Sequence, residues 1–139
     1  MAAYPIHPAV VHFPFGLLLT STIVDVAHLA GLWPEPRFGA WLMVAGLLSG
    51  LVAVAAGLWD FRRLAPELVP YAMRHMGAMG TAWLGYAIAL YLRREVLTTA
   101  AEPSLAGVGL AVASAIVLSV GGWLGGELVY RYGAGRIER

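Results

Sequence analysis

Residues 38–59 read FGAWLMVAGLLSGLVAVAAGLW, an unbroken apolar stretch without one charged side chain. An α-helix rises about 1.5 Å per residue, so the stretch covers about 33 Å, against a bilayer hydrocarbon core of about 30 Å. It reads as a membrane span. Working outward from it, three more stretches have a similar reach. Residues 13–32, FPFGLLLTSTIVDVAHLAGL, carry Asp25 and His28. Residues 76–92, MGAMGTAWLGYAIALYL, extend back to about residue 73, and residues 104–126, SLAGVGLAVASAIVLSVGGWLGG, run on into ELVYRYG. Pro34 and Pro36, Pro66 and Pro70, and Pro103 fall in the breaks, where each removes a backbone donor and discourages a continuous helix.

The expected fold is therefore all-α: an integral membrane antiparallel four-helix bundle, one domain over residues 1–139 with spans at about 13–32, 38–59, 73–92 and 104–127. Composition agrees. The residues AVILMFWYC make up 60% of the chain and DEKR only 12%, where soluble domains carry about 25% charged residues. So few charges cannot cover a small soluble globule, which argues against a soluble enzyme, a disordered chain or a nucleic-acid binder. The net charge of +1 is too small to steer a polyanion. With no cysteine, disulfides, iron–sulfur clusters, thiolate metal sites and covalent c-type haem are excluded.

Four short-looped spans alternate in direction, so the N-terminus, the loop at 60–74 and the C-terminal tail share one side. That side holds Arg62, Arg63, Arg74, Arg131, Arg136 and Arg139; the other holds Arg37, Arg93 and Arg94. The positive-inside rule then places both termini in the cytoplasm of a bacterium, with the bundle in the inner membrane. Trp33, Trp41, Trp59 and Trp123 lie near the faces, as interfacial aromatic residues do, whereas Trp83 is deep enough to be a packing residue.

Small residues recur at helical spacing in three of the spans: Gly46, Gly50, Ala53 and Gly57; Gly77, Thr81, Gly85 and Ala89; Gly107, Ala111, Ala115 and Ser119, then Gly122 and Gly126. Such rows let helix backbones approach closely, which is what drives helix association in lipid.

The ionisable groups are not scattered. His7 and His12 precede or open the first span, Asp60 ends the second, His75 opens the third, and Glu127, Tyr130 and Arg131 end the fourth. Alternating topology brings all of them to one face of the membrane. Asp60 continues the small-residue stripe of its helix, which turns it inward. A weak repeat accompanies the cluster. His12 and Asp60 bound one hairpin, His75 and Glu127 the next, at spacings of 48 and 52 residues. Against a functional site stand plainer readings: histidines as interfacial caps, Asp60 pairing with a nearby arginine, and Glu127 with Arg131 as an i,i+4 ion pair. Asp25 and His28 form a second polar pair, three apart on one face with Ser21 a turn before; a structural hydrogen bond is the favoured reading over a proton relay.

The string HPAVVHFPFGLL at 7–18, Asp25, GLWDF at 57–61, His75 and the closing GGWLGGELVYRYGAG together resemble the DUF2231 family, a domain of unknown function found in bacterial membrane proteins. The resemblance runs from His7 to about residue 135. It implies a four-helix integral membrane fold, and the joining of some members to Rieske or cytochrome-type domains implies redox company. The family pattern falls here on His7, Pro8, His12, Pro14, Asp25, Asp60, His75, Gly122 and Gly126, with no proven chemistry attached.

Three functions remain open from the sequence. A bis-histidine haem b would use His12 and His75, with Gly57, Gly77, Gly80 and Gly122 making room for the ring. A transition-metal ion would use His7, His12, Asp60 and His75, with Glu127, Tyr130 and Arg131 behind them. A redox protein or a quinone would be the partner of either. The third is a non-catalytic subunit or scaffold whose glycine rows mediate helix and homo-oligomer packing. The chain has no GxSxG, HExxH or phosphate-binding glycine loop, so a classical enzyme is not expected; nor is a nucleic-acid partner.

Overall fold

The computed structural model describes residues 7–134. Among them there are helices, turns and no strand. In chain order the α-helices are α1 (His7–Val10), α2 (His12–Leu29), α3 (Pro36–Phe61), α4 (Val69–Leu92), α5 (Val96–Thr99) and α6 (Leu105–Gly126), the last continuing into a π-helical turn at Glu127–Arg131. Three helical segments, His7–Leu29, Pro36–Phe61 and Leu105–Arg131, are long and apolar enough to cross a membrane. The expectation of four such spans is thus met by three. α4 has the length, at 24 residues, but not the apolarity, because Arg74, His75 and its glycines dilute its first half.

Local chemistry sets the helix ends. The α1 and α2 segments follow one another almost without a break, because Val11 and Phe15 donate to the carbonyls of His7 and Val11. Pro14 has no N–H for the Val10 carbonyl, which loosens the join. α2 stops at Gly31, whose φ of +74° an L side chain rarely adopts. There Gly31 N–H meets the His28 carbonyl at 2.9 Å and Leu32 N–H the Ala27 carbonyl at 2.8 Å, a Schellman close. The Glu35 carboxylate caps α3 from the Arg37 N–H, with Pro36 in the first turn; the Ser104 hydroxyl caps α6 from the Gly107 N–H.

The helices form two hairpins, α2 with α3 and α4 with α6. Between hairpins α2 packs on α6 and α3 on α4. The core is narrow and built of small residues around a few large ones: Ala82, Ala89 and Ala111 with Leu18, Met43, Leu47, Tyr86 and Leu118. Many glycines of the predicted rows lie at these contacts. A Cβ on Gly46 would press into Leu18 and on Gly122 into the Phe15 ring; Gly121, outside those rows, is as close to Met79 Sδ. Trp83 lies against Gly50 and donates its indole N–H to the Leu47 carbonyl at 3.1 Å. Gly77 and Gly80 face open space instead.

Outside, the distribution is inverted relative to a soluble domain. Phe13, Ile23, Leu48, Val52, Leu84 and Ile116 are each more than half exposed. A continuous apolar surface of this kind needs lipid or a partner to cover it.

Candidate functional site

At one end of the bundle the two hairpins meet through imidazoles. His7 and His75 stand edge to face, ring centroids 5.9 Å apart and planes at 75°. Each ring is held by the second helix of its own hairpin. His7 Nδ1 lies 2.8 Å from the Ala53 carbonyl and His75 Nδ1 lies 2.8 Å from the Gly121 carbonyl, both across 46 residues of chain. A carbonyl can only accept, so Nδ1 carries the proton in both rings. Neither Nε2 has a hydrogen-bond partner among the described residues.

Glycine makes the approach possible. A Cβ on Gly57 would come within 3.0 Å of His7 Nδ1, and one on Gly125 within 2.9 Å of His75 Cε1. Asp60, one turn beyond Gly57, accepts the backbone N–H of His7 at 3.0 Å and so ties the start of the first helix to the end of α3.

The expected pairing of His12 with His75 is corrected here. His12 is exposed and makes no hydrogen bond among the described residues, and the ring that faces His75 is that of His7. Positions 7 and 12 differ by about 500° of helical rotation, or about 140° around the axis, so one sequence segment cannot turn both rings inward. Nor do three or more His, Asp or Glu side chains gather into a set able to hold a metal ion among the described residues. Glu127 pairs with Arg131 at 3.2 Å, and Tyr130 points outward at 83% exposed. The Tyr71 and Tyr132 rings lie beside them, tilted at 31° with centroids 4.2 Å apart.

At the opposite end lies a buried polar centre that the sequence reading divided differently. Asp25 pairs with the Arg93 guanidinium, each side chain 1% exposed, and not with His28. Arg93 also reaches Ser21 Oγ at 3.5 Å and Met43 Sδ at 3.2 Å, while its Nε has no partner among the described residues. His28 is held elsewhere, with Nδ1 2.7 Å from the Trp33 carbonyl and Nε2 2.8 Å from Glu102. Between the two ends, Tyr86 Oη sits 2.8 Å from Thr22 Oγ1 and donates to the Leu18 carbonyl at 3.2 Å. From the sequence, Arg93 reads as one of the charges outside the span, beside Arg94. Its position at the C-terminal end of α4 explains the difference: helical Cα–Cβ bonds tilt toward the N-terminus, so its side chain runs back into the bundle. A signal for it existed, since a carboxylate in an apolar span asks for a cation at its own depth.

Of the other described arginines, Arg37 pairs with Glu35 at 3.1 Å and five lie over rings at the bundle ends. Arg62 and Arg63 cover Trp59, Arg74 covers Tyr71, Arg94 covers Tyr91 and Arg131 covers Tyr132. Arg136 and Arg139 lie outside the described residues.

Apolar helices, a lipid-seeking exterior and an interior with few polar groups define an all-helical membrane protein. The chain belongs to the family of predicted membrane proteins DUF2231, whose profile matches residues 3–138. No curated protein and no solved structure matches it.

Proposed function

We propose that this protein is an antiparallel four-span bundle of the bacterial inner membrane whose paired imidazoles, His7 and His75, bind one redox-active metal centre, as the iron of haem b or as a bare transition-metal ion. The observation that carries the proposal is that both Nδ1 atoms are committed to backbone carbonyls at 2.8 Å, with neither Nε2 partnered among the described residues. Metal-bound histidines are commonly held this way, with the far ring N–H given to a carbonyl or carboxylate that fixes the tautomer.

The spacing supports it. Two imidazoles sharing one metal at about 2.0–2.1 Å have ring centroids roughly 5–6.5 Å apart. The 5.9 Å between His7 and His75 lies in that range. A pair without a third protein ligand suits haem iron, which takes four ligands from the porphyrin, or a soft ion such as copper(I). It does not complete a tetrahedral protein site of the zinc kind. In this reading the end bearing Arg62, Arg63 and Arg74 is cytoplasmic. A redox protein or a quinone exchanges electrons with the centre.

The test is an absorbance spectrum with metal analysis on detergent-purified protein from haem- and metal-replete cells. Wild type and His12→Ala are expected to carry the centre, seen as a Soret band with split bands on reduction or as bound metal. His7→Ala and His75→Ala are expected to lose it. A colourless, metal-free wild type would overturn the proposal.

A further inference from the structure

The two hairpins repeat one another at an offset of 68 residues. The hydrogen bond from His7 to Ala53 becomes that from His75 to Gly121. The glycine under each imidazole, Gly57 or Gly125, is also displaced by 68. The glycine under Asp25 is Gly39, and the glycine under Arg93 is Gly107. Contacts between hairpins are alike though one turn out of register: the Phe15 ring lies on Gly122 of α6, while Trp83, its counterpart, lies on Gly50 of α3, four residues before Val54, the position that corresponds to Gly122.

Three contacts join a residue to its own counterpart: His7 with His75, Leu18 with Tyr86, and Asp25 with Arg93. A residue meets its counterpart only near the axis that relates them. Three such meetings along the length of α1, α2 and α4 lay a pseudo-two-fold axis parallel to the helices, the arrangement of parallel repeats in a membrane. The spacings of 48 and 52 run from His12 to Asp60 and from His75 to Glu127; at the offset of 68 the counterpart of His75 is His7, and each of these two lies 46 residues from the carbonyl that holds its ring.

We infer that the chain is a tandem repeat of one two-helix unit, and that Asp25 and Arg93, the same position in the two units, are the charge key that makes each hairpin take the other as its partner. Two identical units would set like charges against each other on the axis. Asp in one and Arg in the other turns that repulsion into attraction, and penalises pairing of either hairpin with its own kind. The contact is desolvated, so the penalty is unscreened.

Exchanging residues across the axis tests this in the full chain. Asp25→Arg and Arg93→Asp alone are each expected to cut the yield of monodisperse, membrane-extracted protein by more than about tenfold. The double exchange Asp25→Arg/Arg93→Asp is expected to return it to within about threefold of wild type, because the axis maps each site onto the other. Where the single variants accumulate measurably, a double variant no better than they are overturns the inference. Should none of the charge variants accumulate, the exchange Phe15→Trp/Trp83→Phe decides. Yield within about twofold of wild type supports the repeat, and loss of the protein overturns it.

Discussion

The carboxylate of Asp25 and the guanidinium of Arg93, 68 positions apart in the chain, close on each other in the bundle interior with both side chains 1% exposed. Removing one partner strands the other charge in an apolar medium. Asp25→Ala and Arg93→Ala are each expected to destabilise by about 3–5 kcal/mol, whereas Asp25→Leu/Arg93→Met recovers most of the loss. Thermal unfolding in detergent measures both. Single variants that melt with wild type would show that the pair is hydrated.

Gly125 and Gly77 lie on different helices but test the same packing. A Cβ on Gly125 meets the His75 ring at 2.9 Å, while one on Gly77 meets nothing within 4 Å. Gly125→Ala is expected to push the ring off the Gly121 carbonyl, costing about 1–3 kcal/mol and any bound metal centre. Gly77→Ala is expected to be neutral or slightly stabilising, by up to about 1 kcal/mol. Melting temperatures of the two variants, measured side by side, check the contrast.

Tyr86 is fully buried and its hydroxyl touches Thr22 and the Leu18 carbonyl. Thr22 Oγ1 keeps its own bond to the Leu18 carbonyl, at 3.1 Å, when the phenol is removed. Tyr86→Phe is therefore expected to cost only about 1 kcal/mol. Tyr86→Ala, which empties the centre of the core, is expected to cost about 3–5 kcal/mol. Comparable melting temperatures for the two would show that the ring does not fill the core.

Glu35 carries a pH dependence. The backbone N–H of Arg37, and then its side chain, hold the Glu35 carboxyl below the ordinary carboxylate range. A lowered native value means that the folded state binds fewer protons. The cap's contribution is complete above the unfolded value of about 4.3 and disappears as pH falls through the lower folded one. The melting-temperature difference between wild type and Glu35→Gln is expected to be positive at about pH 6 and to vanish by about pH 3. A difference that is the same at both pH values would show that the charge is not what caps the helix.

Much of the architecture could be read without coordinates because it depends on local composition. The uncharged run at 38–59 became α3, Pro36–Phe61, with two residues added at each end by the cap and the last turn. The stretch at 104–126 became α6, Leu105–Gly126. Asp60 turned inward along its glycine stripe as helical periodicity requires, and Trp83 packed. The site was less legible. His7 and His12 are equally plausible in the string HPAVVHFP, and only the rotation of the first helix distinguishes them. Arg93 reads as a loop charge until the backward slant of its side chain is known.

The sequence by itself determined that these helices belong in lipid, because that follows from how many apolar residues stand in a row and how few charges interrupt them. It also determined where close packing could occur, because only glycine and alanine leave the space. Which polar groups meet was decided by tertiary structure alone. A helix turns each successive residue by about 100°, so a small change in its rotation exchanges one histidine for another. That rotation is fixed by contacts remote in the chain, such as His7 on Gly57 and His75 on Gly125.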